Sequence, residues 1–158
     1  MRDRVICGAM FHTPARGRLE AMERAAIGVD AQGRIAEVAR QGESGFDALV
    51  GEARACARLV EPGEGRFLMP GLVDLHIHAP QWPQLGKALD APLEVWLHKY
   101  TFPLEARYAD VGFARRVYRD LVTSLLAHGT TTAVYFATIH MEASLALAEI
   151  CLGEGQRA

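Results

Sequence analysis

The chain has 158 residues, half hydrophobic and 23% charged, the make-up of one ordinary soluble domain or two small ones. Its formal charge of -2 excludes a basic nucleic-acid surface and gives no bias toward anionic membranes, and no stretch reaches the length of a membrane span. Three widely spaced cysteines, Cys7, Cys56 and Cys151, form neither a disulfide framework nor a CxxC metal motif, and no apolar leader follows Met1, so the expectation is a soluble cytoplasmic protein.

Residues 5–11 are a short apolar run stopped by His12-Thr13-Pro14 and read as a strand. Residues 25–29 and 35–38 flank a polar, Gly-containing segment, the pattern of a hairpin. From 41 to 65 Gly, Glu and Arg dominate, and only 46–50 and 59–60 are apolar; loops around one or two short strands are expected. Residues 1–68 are therefore read as a small β-rich domain.

Met69-Pro70-Gly71-Leu72-Val73-Asp74-Leu75-His76-Ile77-His78-Ala79-Pro80-Gln81 opens on a Pro-Gly turn and runs as a strand that should be buried. Alternation puts Asp74, His76 and His78 on one face and Val73, Leu75 and Ile77 on the other. Two imidazoles then stand side by side at the carboxyl end of the strand, spaced to grip one metal ion. A connection over 79–87, punctuated by Pro80 and Pro83, should lead to a helix capped by Asp90, with Leu93, Trp96, Leu97 and Tyr100 on one face, ended by Pro103.

The clearest helix comes next. Asp110 is a good N-cap, and Ala114, Val117, Tyr118, Leu121, Val122 and Leu125 keep a 3.6-residue stripe opposite Arg115, Arg116, Arg119 and Asp120. His128 and Gly129 supply a C-terminal cation and a left-handed stop. Residues 130–137 are β-branched and aromatic, a buried strand, and a last helix spans about 142–152 to Gly153. Strand, helices, strand, helix implies parallel pairing with a right-handed crossover. The class is α/β, and residues 69–158 have the pattern of the first two units of a (β/α) barrel.

Two ligands are not yet a metal site, since catalytic zinc takes three from protein. Of the other histidines, His128 belongs to a helix end, His98 to a solvated helix face and His12 to the amino-terminal domain. His140 lies at the same sheet end as His78, where a loop or N-cap role is the simpler reading. Asp74 is suited either to orienting an imidazole or to a buried polar layer. Gln81 offers a donor and an acceptor to the edge of a heterocycle, Trp82 a face for stacking or packing. Glu94 and Glu105 are isolated carboxylates. The sequence has no nucleophile elbow and no phosphate loop.

Residues 70–78 resemble the first barrel strand of the amidohydrolase superfamily. Ala79-Pro80-Gln81, then Trp96-Leu97-His98-Lys99-Tyr100-Thr101-Phe102-Pro103, then residues 128–140 resemble the guanine deaminase branch of it, over about 67–158. The resemblance implies a metal-dependent (β/α)8 TIM barrel, here incomplete, preceded by part of a small β-sandwich domain. It implies zinc held by His76 and His78, and a purine lying against His78, Ala79, Pro80 and Gln81, with Gln81 hydrogen-bonded to it. The reaction implied is guanine plus water to xanthine plus ammonia, in an enzyme that is a homodimer at full length. The family's remaining ligands, its proton-shuttling glutamate and its Arg-Phe guanine clamp come from later strands. The expectation is thus an amino-terminal portion that binds zinc weakly and is inactive alone. The alternatives are another deaminase or hydrolase of the superfamily, or a non-catalytic module needing a second chain.

Overall fold

A computed structural model describes residues 2–158, in two compact units, Met1–Pro70 and Gly71–Ala158. The first is a five-stranded sheet of β1 (Arg2–Ala15), β2 (Arg18–Asp30), β3 (Ile35–Arg40), β4 (Leu59–Val60) and β5 (Phe67–Leu68). β1, β2 and β3 are antiparallel neighbours, while β4 and β5 both pair with β1 in parallel. The β2–β3 hairpin expected from sequence is present. Asp30 closes its turn, its carboxylate accepting from the Gln32 and Arg34 amides at 2.9 Å each.

One expectation for this unit is corrected. Residues 46–50 are not strand or loop but the start of helix α1 (Phe46–Ala55). Phe46, Leu49, Val50 and Ala53 recur at helical spacing, and all four are buried against Val5, Cys7, Ala26 and Ala39 of the sheet. Burying such a face at roughly 1.5–3 kcal/mol per large apolar side chain outweighs the weak helix signal of a Gly- and Arg-rich stretch.

The second unit opens with β6 (Leu72–His78), which pairs in parallel with β7 (Thr130–Phe136). Between them run a 3-10 turn (Ala79–Gln84), helices α2 (Leu93–Trp96) and α3 (Phe102–Ala106), and helix α4 (Val111–Ala127); α5 (Met141–Glu154) comes after β7. α4 forms as its sequence requires. The Asp110 carboxylate accepts from the Gly112 and Phe113 amides at 2.8 and 3.2 Å, and Gly129 takes φ 91° just beyond the far end. Ala114, Tyr118, Leu121 and Val122 bury one face of α4 against Ala143, Leu147, Ile150 and Cys151 of α5. Beyond α5 the chain returns to the sheet. Arg157 donates its amide to Thr131 at 3.0 Å, and its carbonyl accepts from Ala133 at 2.9 Å, a parallel bridge on the edge of β7 away from β6.

Four local expectations change here. The proline-rich connection after His78 is a 3-10 turn, with Pro80 in its first turn. Pro92, not Asp90, is the N-cap of α2, and it makes no side-chain capping bond. Pro103 does not end the helix: Leu97–Thr101 widens into a π turn, and Pro103 falls in the first turn of α3. A proline there has no N–H to give and would press on a carbonyl four residues back, so the wide turn before it lets the rod continue. Finally, α5 runs through Gly153 and stops at Gly155, which takes φ 79°.

The three cysteines are free, Cys7 and Cys151 buried and Cys56 exposed. Among the described residues no helix is long and apolar enough to cross a membrane.

Candidate metal centre

His76 and His78 occupy the carboxyl end of β6, and their Nε2 atoms lie 3.1 Å apart. Two nitrogens sharing one zinc at about 2.0–2.1 Å and a near-tetrahedral angle stand roughly 3.3 Å from each other. The donor set therefore fits a common cation. With one ring protonated on Nε2 the pair is a hydrogen bond; with both protons on Nδ1 the same two lone pairs converge.

The strand that carries the pair departs from its expected burial and from strict alternation. Both histidines are exposed, as are Val73 and Leu75, because β7 is the only strand paired with β6 among the described residues. The two imidazoles are thus not enclosed in apolar surroundings. β6 also carries one extra residue between Asp74 and Ile77 relative to its partner, a bulge that interrupts the two-residue period. Asp74 serves that bulge. Its carboxylate accepts from the His76 backbone amide at 3.0 Å, so it shapes the strand and does not orient an imidazole.

Phe136, on β7, is a residue of the site that the sequence does not single out. It is the registered partner of His78, and its ring stacks on the His78 imidazole with centroids 4.8 Å apart and planes 11° from parallel. The same ring lies 4.6 Å from that of His76. Parallel register is the signal that could have found it: paired residues of neighbouring strands share a face. The aromatic ring braces both imidazoles from one side, limiting the rotamers open to them.

Among the described residues, the remaining histidines of Gly71–Ala158 form no ligand group of three with this pair. His140 is the N-cap residue of α5, its carbonyl accepting from Ser144, and its side chain makes no capping bond. His128 bonds through Nδ1 to the Ser124 carbonyl at 2.7 Å. His98 is exposed, edge-on to Phe102. His12 lies in the other unit. Among the described residues no group of three or more His, Cys, Asp or Glu is placed to hold a metal.

The turn beyond His78 is firmly seated. Ala79 and Pro80 are buried, and the Tyr108 hydroxyl donates to the Pro80 carbonyl at 3.0 Å. Gln81 is half-buried and its amide has no hydrogen-bond partner among the described residues. Trp82 packs against the helical core and its indole N–H reaches the Asp120 carboxylate at 3.5 Å, so its ring serves packing. Gln84 is buried and donates to the Thr101 hydroxyl at 2.8 Å.

The amidohydrolase family model matches residues 67–158. A probable guanine deaminase of Schizosaccharomyces pombe is 43% identical over 98% of this chain and 29% of its own length. The Homo sapiens guanine deaminase is 55% identical over 92 residues, 58% of this chain and 20% of its own. A crystal structure of guanine deaminase from C. acetobutylicum with bound guanine superposes with a TM-score of 0.78 at 28% identity, over 97% of this chain and 34% of that one. The chain thus spans about a third of the length of the relatives that it matches end to end.

Proposed function

Because the chain belongs to the amidohydrolase family, we propose that its His pair and the turn beyond it form part of a zinc-dependent guanine deaminase, converting guanine and water to xanthine and ammonia. The observation that carries this reading is the convergence of the His76 and His78 Nε2 atoms to 3.1 Å, three residues before a glutamine whose amide has no partner among the described residues. The names and identities of the relatives support the same substrate.

In this reading His76 and His78 hold the metal. When bound, zinc supplies a Lewis acid able to lower the pKa of a water from 15.7 to about 7. Phe136 keeps the two rings in place by stacking. Gln81 presents an N–H donor and a carbonyl acceptor together, complementary to a purine edge that alternates the two. His78, Ala79 and Pro80 form the wall against which the base lies. The parallel β6–β7 pair with its helical crossover, and the bridge that Arg157 makes to the next sheet position, support reading Gly71–Ala158 as the opening of a (β/α) barrel and Met1–Pro70 as the small β domain before it.

The test is ammonia release by the native gene product loaded with zinc, with guanine and cytosine as parallel substrates. Release from guanine alone is expected. Release from cytosine and not guanine would replace this reading with another branch of the superfamily.

A further inference from the structure

The Lys99-Tyr100-Thr101-Phe102-Pro103 run is tied through its π turn to the segment beyond His78. Thr101, the last residue of that π turn, is 3% exposed, and its hydroxyl accepts from Gln84, the last residue of the 3-10 turn. Seven residues later Tyr108, fully buried, donates to Pro80 near the start of the same 3-10 turn. The Ala79–Gln84 turn is therefore held near both ends by two buried side chains from one helical stretch. Gln81 lies between the two attachments, with no partner of its own among the described residues. π turns are rare and cluster at functional sites, and this one brings a buried hydroxyl onto the turn carrying the Gln81 amide.

We propose that Thr101 and Tyr108 are positioning residues that clamp the Ala79–Gln84 turn and thereby fix the Gln81 amide beside His78, governing purine recognition and not the chemical step. The inference rests on the deaminase reading for the identity of the ligand, though not for the clamp itself. A glutamine on an unclamped turn samples many orientations, and ordering it must be done at the expense of binding. Pre-seating the turn removes that cost. It predicts an effect on the KM for guanine, not on kcat.

Tyr108→Phe and Thr101→Val each delete one attachment with little change of shape. In the zinc-loaded native protein, KM for guanine should rise about fivefold in each variant, the worth of one neutral hydrogen bond, with kcat changed less than twofold. Tyr118→Phe, which removes a neighbouring buried hydroxyl with no partner among the described residues, should leave KM unchanged. Unchanged KM in both clamp variants, or an equal rise in Tyr118→Phe, overturns the proposal. Hydrogen exchange at the Leu85 and Lys87 amides, which bond back to Trp82 and Gln84, reads the clamp without turnover. Faster exchange in both clamp variants, but not in Tyr118→Phe, supports it, and unchanged exchange overturns it. A native protein that leaves guanine untouched while exchange responds as expected would overturn the deaminase reading and the purine-recognition half of this proposal, leaving the clamp in place.

Discussion

Tyr108 and Tyr118 lie with ring centroids 5.1 Å apart in one apolar cluster, yet among the described residues only Tyr108 has a partner for its hydroxyl. Both rings are fully buried, so the two hydroxyls have lost water equally. Their removal should have opposite consequences. Tyr108→Phe strands the Pro80 carbonyl and should lower unfolding stability by about 1–3 kcal/mol, whereas Tyr118→Phe removes an unsatisfied group and should leave stability unchanged or raise it by about 1 kcal/mol. Urea denaturation of the two variants side by side checks this; a loss in Tyr118→Phe matching that in Tyr108→Phe would contradict it.

High pH should attack the same cluster. Burial pushes the Tyr135 hydroxyl up to about 12 from its ordinary 10, and burial also raises Tyr108 and Tyr118. The folded state thus holds the proton more tightly than the unfolded chain does. That contribution to stability is complete below about pH 10 and is lost as pH climbs toward 12. The tyrosines' share of the urea midpoint should accordingly hold steady up to about pH 9.5 and fall above it, and the Cys151 thiol of the same cluster, also raised by burial, adds a decline that begins about one pH unit lower. Ionisation of these tyrosines in the native state at about pH 10, with no loss of stability, would show that their burial is wrong.

Zinc binding should depend on both histidines and on nothing else in the described residues. Two imidazoles without a third donor bind weakly, and His76→Ala or His78→Ala should abolish binding in calorimetric titration of this chain. Asp74→Asn should bind as the parent does, because the Asp74 oxygen accepts from a backbone amide and asparagine can do the same. Zinc retained after loss of either histidine would place the metal elsewhere.

Gly71 is required by closeness, not by backbone conformation. A Cβ there would stand 1.9 Å from Thr131 Oγ1, 2.5 Å from Cγ2 and 2.7 Å from Cβ, so turning the threonine side chain gives no escape. Gly71→Ala should therefore cost about 1–3 kcal/mol or more. Adding Thr131→Ala should return part of the loss, since two of the three contacts go and the third stays. Full tolerance of the single substitution in a thermal melt would show that β6 and β7 are further apart at that level.

Helix α4 offers a simpler check. Asp110→Ala frees two amides that its carboxylate now satisfies and should cost about 1 kcal/mol in urea denaturation, while Asp110→Asn should retain most of the cap.

The parts of this fold that are legible in the sequence are those where local chemistry and tertiary packing agree. Asp110, the apolar stripe of α4 and Gly129 fix a helix without reference to anything else, and the apolar runs on either side of it announce a parallel strand pair. α1 is not legible because its signal is four apolar residues dispersed among Gly, Glu and Arg, which acquire meaning only against the sheet they cover. Pro103 misleads because a proline ends a helix by default, and the compensating π turn leaves no compositional trace. At the candidate site the His-x-His spacing is readable. Phe136 is not, because its stacking depends on register, nor is the role of Asp74, which depends on a bulge that periodicity conceals. The exposure of β6 cannot be read from a run of apolar letters, since burial is a property of neighbours.

The wide turn at Leu97–Thr101 holds one more residue than an α turn would. Deleting one position there, Lys99 for example, would tighten it into ordinary helix and leave the α2 and α3 sides in nearly the same rotational register, because five residues of π turn and four of α-helix sweep about the same angle. A single-residue gap should therefore be better tolerated here than in the regular turns of α4, where it would swing everything beyond it by about 100°.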